Sequence, residues 1–338
     1  MATLSNGRLT LLDHAKRTDP KGKIQKIAEL LSQSNEILDD MAWKQGNMAT
    51  GDQQSIRTGL PSVYYRLTNN GVATSKSTTA QVQENASILE ARSHVDVDIA
   101  SLEDNLGAFR LSESMAFMEA MAQRQAETLI YGSAGSPEEF VGLANRYNDL
   151  SATNAENILD AGGSGSDNTS IWLCGWSDQT VYGIYPKGSK AGLTHQDLGE
   201  DDVDDANGNP FRAYKDLYKW KAGLMVKDWR YVVRIANIDI SDLKGLTGTQ
   251  AIAASTAIIK QMDLAISHLP NLNNVNLAFY GNRTVLAYLR QMALDKSSSA
   301  VTIEAGQNQF GQSIHTTKFH SIPVRKVDRI LNTESRVV

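Results

Sequence analysis

The sequence predicts an α+β fold, and three observations carry that prediction. Residues 111–131 and 249–269 place apolar side chains at steps of three and four, the period of a helix with one buried stripe. Short β-prone segments lie before, between and after these helices without strict strand–helix alternation, which argues against a doubly wound parallel sheet. No stretch repeats at a solenoid period. At 338 residues the chain exceeds the usual single-domain size, so one large or two modest domains are expected.

Residues 1–62 read as an arm carrying one helix. Ile24, Ile27, Leu31, Leu38 and Met41 follow the helical spacing, interrupted by Ser34, while Lys23, Lys26, Glu29 and Asp39 occupy other faces. Such a stripe needs a surface to lie against, on its own core or on a neighbouring subunit. From Lys44 to Pro61 no helical or strand period survives, and the segment reads as an extended strap. Val63–Leu67 is β-prone, and Val95, Val97 and Ile99 alternate with His94, Asp96 and Asp98. Between these two expected strands lie roughly 26 mostly polar residues, a loop too long for an ordinary compact domain. Its Asn69-Asn70-Gly71 step and Ser/Thr cluster supply turn chemistry and little to bury. A protruding β-arm over residues 63–100 that covers a partner is the expectation.

Leu111, Met115, Met118, Ala122, Ala126 and Leu129 define the inward stripe of the next helix, with Ser112 as N-cap and Gly132 as C-terminal stop. Ser136-Pro137-Glu138-Glu139 has the form of a capping box opening a second short helix through Phe140, Val141, Leu143 and Ala144. Gly162-Gly163-Ser164-Gly165 reads as a hinge and a domain boundary. Beyond it, Ile171–Trp176 and Val181–Tyr185 are strand-like, and Pro186–Phe211 is a Gly- and Asp-rich excursion. Lys219–Val226 with Trp229–Ile240 reads as a hairpin turning at Lys227-Asp228. Thr249–Leu269 is a helix ended by Pro270, with Ile252, Ile259, Met262, Ile266 and Leu269 inward. Val275–Tyr280 is a strand, Arg283–Leu294 a helix, and Ile314–Phe319 with Ile322–Val327 closes the chain in β structure.

Composition narrows the function classes. The hydrophobic fraction of 41% comes without any apolar run near the ~20 residues of a membrane span, so a soluble protein is expected. The N-terminal residues lack the pattern of a signal peptide, which points to synthesis in the cytoplasm. Cys174, the single cysteine, excludes an intrachain disulfide, and Ile171, Trp172, Leu173 and Trp176 around it predict burial. A net charge of −5 argues against a dedicated nucleic-acid binder.

Catalytic motifs are absent from the sequence: no Walker phosphate loop, no H-E-x-x-H helix, and no nucleophile elbow, since Gly163-Ser164-Gly165-Ser166 lacks the required spacing. The acidic run Glu200, Asp201, Asp202, Asp204, Asp205 with Asn207-Gly208 invites a calcium-loop reading, but Val203 and Tyr214 would fall where Asp and Glu are needed. It reads as a solvated loop. His315 and His320, at odd spacing, face opposite ways on a strand. Asp96 and Asp98 share a face with His94 and could do acid–base work, but nothing adjacent in sequence completes such a site. No catalytic, cofactor-binding or metal-binding residue is assigned, and no cofactor is expected.

One family gathers these parts. The stretches Leu60-Pro61-Ser62-Val63-Tyr64-Tyr65-Arg66 running to Asn70-Gly71-Val72, Ile130-Tyr131-Gly132, Pro137 to Leu143 and Tyr182-Gly183-Ile184-Tyr185-Pro186-Lys187-Gly188 occur in a specific order and spacing. Asp228 to Ile238 and Ile322-Pro323-Val324 continue the pattern. Together they resemble a tailed-bacteriophage major capsid protein of the podovirus-like branch of the HK-ninety-seven-type fold. The resemblance implies an N-terminal arm (1–62), an extended β-loop (63–100), a peripheral domain (101–159 plus 296–338) with spine helix 111–131, and an axial domain (160–295). It further implies a non-enzymatic shell protein that assembles with itself into hexamers and pentamers of an icosahedral head. That head would enclose double-stranded DNA without sequence-specific binding, would belong to the virion and would be assembled in the host cytoplasm. Scaffolding, decoration and portal proteins are further candidate partners, and no membrane is involved. Some members of that family crosslink through a lysine on the extended loop; Lys76 is the only lysine on this tip, and no carboxylate can be placed with it. Rival readings are an encapsulin-like nanocompartment shell and a hydrolase using Asp96, Asp98 or the 200–205 cluster.

Overall fold

The computed structural model describes residues 33–102, 106–205, 207–244, 249–294, 301–307 and 313–338. Its strands are β1 (Trp43–Gln45), β2 (Gly51–Gly59), β3 (Thr78–Asn85), β4 (Ser87–Asp96), β5 (Ile158–Asp160), β6 (Asn168–Trp176) and β7 (Val181–Tyr185). They continue as β8 (Leu193–Asp204), β9 (Pro210–Val226), β10 (Val232–Asp239), β11 (Asn276–Gly281), β12 (Val301–Gln307), β13 (Ser313–Phe319) and β14 (Ile322–Lys326). The helices are α1 (Ile37–Asp40), α2 (Val97–Ser101), α3 (Leu106–Tyr131), α4 (Leu143–Arg146), α5 (Ile240–Lys244), α6 (Thr249–Ser267) and α7 (Arg283–Leu294). Helices and strands are mixed as the α+β expectation requires.

Among the described residues one sheet dominates, running β12-β13-β14-β11-β6-β7-β9-β4, with β10 beside β6, β5 beside β10, β1 beside β7 and β8 beside β9. All nine residues of β6 are buried, because both faces of this strand are covered. Side chains alternate across a strand. Trp172, Cys174 and Trp176 therefore enter one apolar layer with Leu129 and Ile130 of α3, Phe140, Leu143, Tyr147 and the C-terminal Ile330 and Val337. Ile171 and Leu173 enter the other, with Met262 and Ala265 of α6 and Val285 and Leu289 of α7. Strands β10 and β11 split the same way, Val232, Ala236 and Tyr280 to the first layer and Val233, Ile235 and Phe279 to the second. A side chain such as Trp172, fully buried, would cost about 3–5 kcal/mol on truncation to alanine.

Several elements differ from the sequence expectation. The expected strand at Val63–Leu67 does not form; the strap before it does, because Gly51–Gly59 pairs antiparallel with Thr78–Asn85 as a two-stranded ribbon. Polar side chains in β2 hid its period, since both faces of a projecting ribbon meet solvent. The second expected strand, 94–99, ends at Asp96. There the Asp96 carboxylate accepts the Asp98 N–H and caps α2. Helix α3 starts at Leu106, so Ser112 is internal to it rather than its N-cap. Ser136–Glu139 forms turns, and the short helix begins later, at Leu143 behind Gly142. Strands β9 and β10 do not pair with each other; β9 pairs with β7, β4 and β8, so the excursion 186–211 contains a twelve-residue strand. The Gly162–Gly165 stretch is not a free hinge at its first residues: Ala161 and Gly163 donate backbone N–H groups to Ala236 and Asn237 of β10. The apolar stripe 24–31 lies outside the described residues; its continuation, Ile37 and Met41, is buried.

Candidate functional site

The feature that the main sheet cannot absorb is the β2–β3 ribbon. Nine residues at about 3.3 Å each carry its rising strand roughly 30 Å from its root. At the root Gly46 and Gly51 cross so closely that a Cβ on Gly46 would sit 2.1 Å from the Gly51 carbonyl oxygen, and one on Gly51 would sit 2.0 Å from that of Glu84. No other residue fits there without moving backbone.

Two polar anchors fix the root. Asp52 is buried, accepts the Tyr182 hydroxyl at 2.8 Å, and accepts the Asn47 N–H and the Gln54 amide. Burial alone would raise the Asp52 carboxyl pKa, but these hydrogen bonds hold it below its ordinary value. Burial and the neighbouring Asp52 push the Tyr182 phenol upward, so it stays protonated as the donor. On the other strand, Glu84 receives a bidentate Arg146 fork, at 2.6 and 2.7 Å, which ties β3 to α4.

Beyond these anchors every residue from Leu60 to Lys76 is exposed. Leu60, Val63, Tyr64, Tyr65 and Leu67 present 60–107% of their surface to solvent. The tip turns at Asn69, whose φ of 66° is tolerable for asparagine, with the Asn70 N–H on the Leu67 carbonyl. A run of exposed aromatic and aliphatic side chains with no cover from its own chain marks a contact surface. Lys76 sits on this exposed segment.

A second element stands against α3. Strands β8, β9 and β4 form a three-stranded layer. Tyr218 of β9 stacks on Phe117 at 5.5 Å and meets the Ser114 hydroxyl at 2.7 Å. Arg110 bridges Asp197 and the buried Asp216, at 2.8 and 2.9 Å, and His195 Nε2 lies 2.9 Å from the same Asp216 oxygen. The acidic run lies along exposed β8, where Lys215 reaches Asp201 and Arg212 lies near Glu200 and Asp202. These carboxylates are neutralised along a strand edge rather than gathered around a point, and among the described residues no three metal-ligating groups converge.

The third element is a buried clamp. Glu334 accepts the Arg234 guanidinium at 2.8 Å, together with the hydroxyls of Ser170 and Tyr131. Arg234 also donates to the Tyr147 carbonyl and lies over the Trp172 ring at 5.0 Å. Val337 bonds through both its N–H and its carbonyl to the Asn237 side chain. The clamp thus joins the end of α3, strands β6 and β10 and the C-terminal segment. One signal for it was present in the sequence: a lone arginine inside the apolar run Val232–Ala236 requires a buried partner. Nothing in the spacing identified Asp52, Glu84 or Arg146.

The residues that invited catalytic readings are not brought together. Asp96 caps α2, and Cys174 is fully buried with its thiol pKa raised by desolvation, the state of an inert core thiol. Among the described residues no helix is long and apolar enough to cross a membrane.

A family model described as "Major capsid protein GP7" matches residues 19–338. A chain of the bacteriophage Epsilon15 structure is 32% identical, with a TM-score of 0.76, covering 100% of this chain and 99% of that one. The bacteriophage JBD30 capsid superposes with a TM-score of 0.50 at 9% identity, covering 95% of this chain and 99% of that one, a likeness of fold. An encapsulin complex of Synechococcus elongatus reaches a TM-score of 0.44 at 12% identity over 68% of this chain and 96% of that one. No curated protein sequence matches the chain.

Proposed function

The chain belongs to the major capsid protein GP7 family, and from that premise we propose how its subunits close a shell. Its role is structural, its fold is that of HK-ninety-seven-type phage capsids, and its place is the virion capsid. In the proposed arrangement the subunits form hexamers and pentamers of an icosahedral head around double-stranded DNA. The β2–β3 ribbon is the extended loop of one subunit laid over the next. Residues 1–62 supply the arm up to the root of that loop, 101–159 with 296–338 the peripheral unit along α3, and 160–295 the axial unit. The rising strand of the loop starts at Gly51, ahead of the residue 63 boundary expected from sequence.

The exposed tip carries this reading. Six apolar side chains between Leu60 and Val72 lie in solvent on a ribbon whose root is rigidly anchored. A monomer gains nothing from holding them there. A neighbour that covers them gains about 25 cal/mol for each Å² of apolar surface removed from water. Each subunit lays one tip and receives another, and closure multiplies many weak contacts into one strong container. The acidic balance suits a wall that holds DNA without gripping it, because a basic lining would bind phosphates and release counterions. Assembly with scaffolding, decoration or portal proteins in the host cytoplasm completes the proposal.

Electron microscopy of the purified protein is the direct test. The intact chain should give closed particles, whereas a chain lacking residues 62–76 should remain as folded subunits. Closed particles of normal size from the shortened chain would overturn the tip's role. A steep fall in shell–DNA affinity with rising salt would count against the non-gripping wall.

A further inference from the structure

Helix α3 carries an apolar strip that its own described neighbours leave open. Leu111, Met115 and Met118 recur at steps of four and three, and they are 60%, 56% and 36% exposed. Further along the same stripe Ala126 and Leu129 are fully buried, so one face passes from open to covered within a single helix. The strip runs about 10 Å along the axis, at 1.5 Å per residue. One flank is closed by β9, where Tyr218 meets Ser114 and Phe117. At the other flank stands Glu119, and there the described chain begins: the Gln33 N–H donates to the Glu119 carboxylate at 2.9 Å.

We propose that residues 24–31 of the same chain cover this strip, with Ile24, Ile27 and Leu31 set on Leu111, Met115 and Met118. The tether decides the occupant. The Gln33 contact fixes the segment's end two residues from Leu31 and one residue past Met118, so the local concentration of residues 24–31 at the strip exceeds that of any free partner. The dimensions agree, because a helix over 24–31 is also about 10 Å long and places positions 24, 27 and 31 on one face. Polarity agrees as well, since Lys23 and Lys26 fall off that face and beside the carboxylate flank of Glu119. The N-terminal segment then acts as a cover built into the subunit, and it stabilises the outer half of α3 before any neighbour arrives.

Cysteine pairing tests the proposal on the full chain, where Cys174 is fully buried and does not compete. Under mild oxidation Ile27→Cys with Met115→Cys should close within one chain, giving a monomer-mass species in unassembled subunits. Ile27→Cys with Arg124→Cys, on the opposite side of the helix, should close at least about ten-fold more slowly. Crosslinking only between chains would move the occupant to a second copy and overturn the assignment, as would equal rates for the two pairs or no crosslink in either. A second readout uses trypsin at Lys23 and Lys26. The exposed-site variant Met115→Asp/Met118→Asp should be cut at least about ten-fold faster than the parent, and an unchanged rate would also overturn the proposal. Particle formation is scored separately, so the capsid reading and this one fail independently.

Discussion

The C-terminal segment from Val327 to Val338 and the hairpin tip from Leu60 to Lys76 are both irregular backbone, and they solve the same problem in opposite ways. Each lacks a strand or helix to satisfy its peptide groups. The C-terminal segment finds partners inside the subunit: Glu334 in the Arg234 clamp, Val337 on Asn237, the Leu150 N–H on the Val338 carbonyl, and the Asn282 amide on the Ile330 carbonyl. Ile330 and Val337 are buried in consequence. The tip finds almost none, and Tyr65 stands fully exposed. Irregularity alone therefore does not mark an interface. The location of the partners does, and for the tip they must come from another chain.

The comparison breaks most decisively at the clamp. Glu334→Ala leaves the Arg234 guanidinium buried without its counter-charge and should destabilise the unassembled subunit by about 3–5 kcal/mol. Urea unfolding of the unassembled subunit measures it, and a loss below about 1 kcal/mol would show that the clamp is ornamental. Arg146→Ala acts on the boundary between the two regions. It should cost about 2 kcal/mol, concentrated as faster amide exchange in β3 while β6 stays protected. Uniform loss of protection would mean that the ribbon is not a separate opening unit.

Acid should loosen the same root. The folded Asp52 carboxyl has a depressed pKa, so its contribution is complete above its ordinary value near 3.8 and disappears as pH falls through the lower folded value. Asp52→Asn should remove that part of the pH dependence below about pH 4. An identical acid profile for parent and variant would place the acid response elsewhere. The smallest effect on the subunit is expected at the tip. Tyr65→Ser with Leu67→Ser should change unfolding by less than about 0.5 kcal/mol, because neither side chain is buried. The same variant should assemble poorly, and that split between stability and assembly sharpens the contrast more than either number alone.

Much of the buried half was legible in sequence because its elements carry their own periods. Strand β7 and helix α7 form where the spacing placed them, and the apolar run around Cys174 announced a strand covered on both faces. Strand β2 was missed because a ribbon in solvent has no buried face to imprint an alternation on Gly51–Gly59. The α3 stripe was read as inward along its whole length, yet Leu111 and Met115 point out. An apolar period reports that a face is to be covered and says nothing of what covers it. Strand β8 escaped for a related reason: it is an exposed, acid-rich edge, a composition that also describes a loop.

Strand β6 has a mechanical consequence. Its odd- and even-numbered residues feed two separate apolar layers, so sliding it by a single position would drive Trp172 and Trp176 into space shaped for Ile171 and Leu173, and the reverse. Neither layer can yield while the other holds. A subunit wired in this way has no internal seam along which load could split it, and strain on a closed shell would be relieved at the joints between subunits before it reached their interiors.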